Sequence, residues 1–159
     1  MTDINPVGGS GDTSREEWCT PAWLCALIGP VTLDPCSSER AHVQAQIRYT
    51  KEQNGLRYAK ATPSKWRTFI NPPYSRGSVL EWVHAYSHTD FIYLLRFDPS
   101  TVWFTEIMSH RPYIWFPKGK RIGFEPPPGV DGESNPFPHA LYCKEPPNVS
   151  LFTEGWILR

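Results

Sequence analysis

The sequence predicts an α/β layer fold with a mostly parallel central sheet and flanking helices, and three observations carry that prediction. Short apolar runs rich in β-branched and aromatic residues alternate with segments of helical period from Trp18 to Phe116. Two of the runs end directly on a polar residue, Asp34 and Asn71. Finally, 159 residues with 40% hydrophobic and 20% charged side chains suffice for one core and fall short of two.

Residues 1–14, which contain Gly-Gly-Ser-Gly-Asp, have little to bury and read as a flexible arm. Residues 15–159 then form a single domain. Thr20-Pro21 supplies an N-cap and a first-turn proline for a helix bearing Trp23, Leu24, Leu27 and Ile28, which Gly29-Pro30 ends. Val31 to Asp34 is a short strand, and Ser37 to Ile47 is read as a second helix. Thr68-Phe69-Ile70 is a strand running straight into Asn71. Ser78 to His88 carries Val79, Leu80, Trp82, Val83 and Tyr86 on a helical period, with Ser78 and Glu81 in capping-box spacing. Phe91 to Phe97 is continuously apolar, as in a strand buried on both faces. Thr101 to Ser109 follows as a helix and Tyr113 to Phe116 as a strand. Residues 125–148 are Pro-rich and read as a long loop beside one or two late strands. Seventeen prolines and 14% aromatics fit short elements joined by rigid loops.

Charge and cysteine usage narrow the classes. The formal net charge is +0, so global charge gives no argument for nucleic acid. Locally, Arg48, Lys51, Arg57, Lys60, Lys65 and Arg67 stand against a single acid, Glu52, and form a candidate phosphate-facing stretch. Cys19, Cys25, Cys36 and Cys143 form no CxxC pair, as in a reduced cytosolic protein. No apolar run approaches 18 residues, and the N-terminus lacks the basic and apolar segments of a signal peptide. The expectation is a soluble cytoplasmic protein with no membrane partner.

The chemistry concentrates at the two strand ends. In open α/β sheets, ligands bind beyond the carboxyl ends of the strands. A carboxylate there, Asp34, can accept hydrogen bonds from a ribose or an ammonium group. Asn71 is followed by Pro72 and Pro73, which fix φ, remove two N–H groups and restrict Asn71 itself. The Asn71 amide oxygen and the Pro72 carbonyl can then be held as two acceptors facing one point. That arrangement suits an exocyclic NH2 group, holding both hydrogens and leaving the nitrogen lone pair aimed outward. Tyr74 offers a face on which a base can stack. An isolated Asn-Pro-Pro-Tyr string is as readily an ordinary rigid turn; its place after a buried strand favours the chemical reading.

Several segments together carry a resemblance. Trp18-Cys19-Thr20-Pro21, Leu33-Asp34-Pro35-Cys36, Asn54-Gly55-Leu56, Asn71-Pro72-Pro73-Tyr74-Ser75 and Glu81-Trp82-Val83 occur in order, followed by Arg96, Ser100, Trp103 and Lys120-Arg121-Ile122-Gly123-Phe124. In order and approximate spacing this set resembles the phage-type DNA N6-adenine methyltransferases, the Dam-like family. The resemblance implies a Rossmann-like fold that uses S-adenosylmethionine, with residues 15–159 as one methyltransferase domain. It implies Asn71, Pro72, Pro73 and Tyr74 as the catalytic motif. Trp18, Thr20 and Pro21 would flank the methionine part of the cofactor. Asp34, with Pro35 and Cys36, would be the first-strand acid and its loop, and Asn54 would hold the adenine end. One departure is that Asp34-Pro35-Cys36-Ser37-Ser38 lacks the glycine-rich turn many methyltransferases have. The implied reaction is direct in-line methyl transfer to the amine of an adenine flipped from double-stranded DNA, by a phage or prophage protein acting in the host cytoplasm. A homodimer is among the candidate partners, because a chain this short leaves little room for a separate recognition domain.

Three alternatives remain open at this level. Cytosine N4 presents a similar amino group to the same two acceptors, as, less favourably, do RNA and protein glutamine. A DNA-binding module with a degenerate methyltransferase fold would keep the architecture without catalysis. Pro35-Cys36 superficially matches the nucleophile of cytosine-C5 methylation, although amino methylation requires no covalent intermediate; the favoured reading is a small packed residue. His84 and His88 have metal-binding spacing but no third ligand in the sequence, so no metal is expected.

Overall fold

In the computed structural model, the described residues are 18–74, 78–131 and 137–159. The expected arm at 1–14 lies outside them, as do Ser75 of the extended motif and part of the Pro-rich segment.

Seven strands form one sheet: β1 (Val31–Asp34), β2 (Ala45–Arg48), β3 (Arg67–Ile70), β4 (Asp90–Arg96), β5 (Tyr113–Pro117), β6 (His139–Cys143) and β7 (Gly155–Leu158). The helices are α1 (Ala22–Ile28), α2 (Ser78–Tyr86), α3 (Val102–Ser109) and α4 (Val149–Glu154), with a 3₁₀ helix at Gly55–Ala61. The strand order is β2-β1-β3-β4-β6-β5-β7. No described helix is long and apolar enough to cross a membrane.

The expectation of a mostly parallel sheet is corrected to a mixed one. The pairs among β2, β1, β3 and β4 are parallel, whereas β4·β6, β5·β6 and β5·β7 are antiparallel. The physical reason lies in the connections. A parallel neighbour needs a crossover that returns the chain to the starting edge, usually a helix. β6 instead enters the sheet at the edge where β5 ends, and the described residues between the two strands include no crossover helix.

Strand β4 illustrates how the core is divided. Phe91, Tyr93 and Leu95 face one layer with Val79, Trp82, Val83 and Tyr86 of α2 and Ile107 of α3. Ile92 and Leu94 face the other, with Leu24, Cys25 and Ile28 of α1, Trp115 and Leu151 of α4. Alternation along one strand therefore fills two layers, and the unbroken apolar run is its sequence signature.

The reading of Ser37 to Ile47 as a helix is overturned. After a turn, this segment is extended into β2, and burial alternates along Val43 to Arg48 with period two. Val43, Ala45 and Ile47 point inward while Gln44, Gln46 and Arg48 point out, a pattern a helix cannot bury on one face. Thr20 does not cap α1: Pro21 stands at the N-cap without a side-chain bond. Ser78 is the first described residue of α2, and its hydroxyl donates to the Pro73 carbonyl. The late strands are β6 and β7, and between them the Asn148 side chain caps an unanticipated short helix, α4, accepting from Leu151 N–H at 2.9 Å.

Gly155 joins α4 to β7 where no side chain fits. A Cβ there would stand 1.8 Å from Nε1 of the buried Trp115, whose N–H donates to the Leu151 carbonyl at 2.7 Å. Gly155→Ala is expected to lower stability by about 2 kcal/mol or more, because the indole must leave both its cavity and its hydrogen bond. Chemical denaturation of both chains measures the change.

Candidate active site

The candidate site follows from the strand order. From β1 the chain moves outward to β2, then crosses back past β1 to β3. The connections on either side of β1 thus run in opposite directions, opening a crevice at the carboxyl ends of β1 and β3. Leu33 stands opposite Thr68 across these strands, which puts Asp34 and Asn71 at the same edge.

Asp34 is 3% exposed, and its carboxylate accepts from the Cys36 N–H at 3.2 Å. Burial pushes its pKa up to about 6, against the opposing influence of Ser37, the Cys36 amide and the more distant Arg48 charge. The floor beside it is tight. Gly55 packs on Pro35 so closely that a Cβ would lie 2.1 Å from the Pro35 carbonyl oxygen. The preceding Asn54 is exposed and adopts left-handed backbone, φ 53°. This contact brings the Asn54-Gly55 segment to the loop after β1, although the two are distant in sequence.

Asn71 reaches in the other direction. Its Nδ2 donates to the hydroxyl oxygen of the buried Thr20 at 3.2 Å, which gives Thr20 a partner other than the helix it was expected to cap. With the amide so oriented, no described residue donates to Asn71 Oδ1, and Pro72 behind it is buried. The Trp18–Pro21 segment is held by Glu125, whose backbone exchanges two 2.9 Å hydrogen bonds with Cys19. The Glu125 carboxylate accepts from the Ala22 N–H at 3.1 Å and pairs with His42 at 2.5 Å. The Ala22 amide, followed by His42, keeps that carboxyl below its usual pKa.

Tyr74 closes the edge. Its hydroxyl accepts from the Arg96 N–H at 2.8 Å, and the Arg96 guanidinium lies 4.6 Å from its ring centroid. Desolvation raises the pKa of the phenol, so it stays protonated at neutral pH. His139, at the start of β6, packs edge-on to Tyr74; burial lowers its pKa to about 4 and keeps the imidazole neutral.

The edge therefore carries Asp34, the Asn71–Thr20 pair and Tyr74 beyond the carboxyl ends of β1 and β3, and a comparison with known families covers this part of the chain. Residues 10–143 match the model of the DNA N-6-adenine-methyltransferase (Dam) family. The chain belongs to that family. No curated protein and no solved structure matches it. As a Dam family member, the chain is assigned DNA adenine methylation in general terms, with DNA as its substrate. The matched region ends with β6, leaving α4 and β7 beyond it.

The remaining candidate residues separate in space. Arg48 ends β2 on the crevice side, but its guanidinium donates to the carbonyls of Ala41 and Val43. Arg67 begins β3, at the opposite end from Asn71, and donates to the Ile28 carbonyl at 3.4 Å. Lys51, Arg57, Lys60 and Lys65 are exposed. The two histidines diverge: His84 faces Glu106 at 3.5 Å, and His88 bonds the Thr62 carbonyl at 2.9 Å. A groove of about 480 Å³ beside them, lined by Lys60, Glu81 and both histidines, includes none of the crevice residues.

Cys36 is partly buried, and desolvation followed by the Asp34 charge holds its thiol well above the usual pKa. A protonated thiol is a poor nucleophile. Cys36→Ala is expected to keep methyl transfer to DNA within a few-fold of the parent, as measured by tritium incorporation from labelled cofactor. Complete loss in a folded variant would restore a covalent role. Glu125, Arg96 and His139 were not assigned roles at this edge from sequence, because each reaches it through a fold-dependent contact.

Proposed function

We propose that this chain transfers the methyl group of S-adenosylmethionine to N6 of an adenine extruded from double-stranded DNA, without a covalent enzyme intermediate. The observation that carries the reading is the Asn71 amide. Its nitrogen is committed to Thr20 at 3.2 Å, and its oxygen has no described donor.

The residues around the crevice suit the cofactor chemically. S-adenosylmethionine brings ribose hydroxyls and an ammonium, which donate hydrogen bonds, and no phosphate. The buried Asp34 carboxylate is an acceptor of that kind, and the loop after β1 has no glycine-rich turn or clustered cations of the sort a phosphate would call for. Trp18, Thr20 and Pro21 would border its methionine end, Asp34, Pro35 and Cys36 its middle, and Asn54 its adenine. When bound, it supplies a sulfonium-activated methyl that needs no further activation. A Rossmann-like relationship is supported by the switch point between β1 and β3.

The chain's own residues then bind and orient. Asn71 Oδ1 and the Pro72 carbonyl accept the two N6 hydrogens and turn the nitrogen lone pair towards the cofactor side. Pro73 keeps the turn rigid, and Tyr74 offers its ring to the base. Positioning and exclusion of water supply most of the acceleration. Arg57, Lys60, Lys65 and Lys51 are the side chains proposed to meet DNA phosphates, whereas Arg48 and Arg67 act within the fold.

Mass spectrometry of nucleosides, from duplex DNA incubated with the protein and S-adenosylmethionine, tests the reading. N6-methyladenine is expected. N4-methylcytosine alone would transfer the proposal to cytosine, and neither product would end it.

A further inference from the structure

Helix α1 takes its first acceptor from a distant part of the chain. Pro21 stands at the N-cap and makes no side-chain bond. A threonine hydroxyl can bond the backbone N–H two residues on, and for Thr20 that donor is the Ala22 N–H. The Ala22 N–H is instead bonded to Glu125 Oε1 at 3.1 Å, across 103 residues of sequence. The buried Thr20 hydroxyl oxygen accepts from Asn71 Nδ2 at 3.2 Å.

The main chain and side chain of Glu125 have separate tasks. Its backbone exchanges two 2.9 Å bonds with Cys19, which fix where the Trp18–Pro21 segment lies. Any residue except proline could make both of them. The carboxylate is steadied from its other side, where His42 Nε2 donates to Oε2 at 2.5 Å. Next to it, the Arg40 guanidinium donates to the Pro126 carbonyl at 2.8 Å. The Ala22 amide and then His42 favour the ionised carboxyl. A charged acceptor outcompetes a neutral hydroxyl for the same N–H, because charge-assisted hydrogen bonds are the stronger ones.

We infer that Glu125 is a positioning residue of the methyl-transfer site: its carboxylate occupies the Ala22 N–H and so leaves the Thr20 hydroxyl to hold the Asn71 amide. Without that carboxylate, the Ala22 N–H draws on the hydroxyl and Asn71 Nδ2 loses its partner. A released amide can turn over and present a donor where an acceptor is needed. Glu125 therefore acts on Asn71 through Thr20, and sets which way the amide oxygen points. The catalytic weight of that orientation rests on the function proposed above.

Steady-state methylation of duplex DNA by variants of the full chain tests the relay. Glu125→Ala is expected to lower kcat roughly tenfold, as for the loss of one orienting hydrogen bond. KM for S-adenosylmethionine should stay within a few-fold, because the backbone bonds to Cys19 survive. Glu125→Gln keeps an oxygen for the Ala22 N–H and should recover kcat to within about threefold of the parent. Glu125→Asp keeps the charge but is one methylene too short, and should resemble Glu125→Ala; it carries the test if the alanine variant does not fold. Adding Glu125→Ala to Thr20→Val should lower kcat no further, since the effect passes through that hydroxyl. The NMR signal of the Asn71 side-chain NH2, assigned by its loss in Asn71→Ala, reads the same relay without methylation. It should shift in Glu125→Ala, Glu125→Asp and Thr20→Val, and stay in place in Glu125→Gln. An unmoved signal in folded Glu125→Asp overturns the inference, as does, with an active parent, an unchanged kcat or a loss that adds to that of Thr20→Val. If the signals behave as stated while the parent methylates no DNA, the relay stands and the proposed activity falls.

Discussion

Asn71→Ala is expected to reduce methyl transfer to DNA by at least about a hundredfold while leaving cofactor affinity within a few-fold of the parent. The size follows from removing one preorganised group at a reacting centre, where a single hydrogen-bonding partner contributes factors of about 10² to 10³. The separation of effects follows from the geometry. Asn71 touches Thr20 through its nitrogen only, and Thr20 remains held in the segment that Glu125 secures through Cys19. Calorimetry with S-adenosylmethionine and single-turnover methylation measure the two quantities independently. Full activity in the variant would remove Asn71 from the mechanism.

The second large effect belongs to Asp34 and has two opposite signs. Its carboxyl has a pKa of about 6 in the fold against an ordinary 3.8, so the folded state favours the protonated form. For an acid raised in this way, the favourable contribution is present below pH 3.8 and is lost as pH rises through 6. Near pH 7 the buried charge therefore costs about 3 kcal/mol, taking about 1.4 kcal/mol for each pKa unit. Asp34→Asn keeps an oxygen for the Cys36 N–H and removes the charge. It should stabilise the fold at pH 7 to 8 by about 1 to 3 kcal/mol, with the gain fading towards pH 4. The same variant should lose about tenfold or more in cofactor affinity, since hydrogen bonds to a charged acceptor are the stronger ones. Parent affinity should likewise weaken as pH falls below about 6. A flat difference in melting temperature from pH 4 to 8 would show that burial of the charge has no such cost.

What the sequence made legible was whatever local chemistry writes. The run Phe91 to Leu95 announced a strand covered on both faces because both alternating sets are apolar, and they fill the two layers. Asp34 and Asn71 stood out as polar residues ending apolar strands, and the strand order puts both at one edge. The segment from Ser37 to Ile47 lends itself to a helical reading because Val43 and Ile47, four apart, suit either period, and Ala45 between them suits only the strand. Its strand character depends on pairing with β1, a contact between distant residues. Strand direction was illegible for the same reason: nothing local to His139–Cys143 states that it will run against β4. Likewise, basic side chains read alike in sequence, and only the fold turns Arg48 onto loop carbonyls and Arg67 towards the far end of the sheet.

The reversal of β6 also has an evolutionary consequence. β5 ends and β6 begins at the crevice edge, and the connection between them is tied to the fold early, by the buried Ile122 and by the Glu125 backbone bonded to Cys19. Beyond Glu125 such a connection can lengthen, shorten or change composition while the paired strands keep their register. The fold thereby separates positions that its packing holds fixed, Asp34 and Asn71 at their strand ends and Glu125 against Cys19, from a stretch of chain that can vary at little cost to folding.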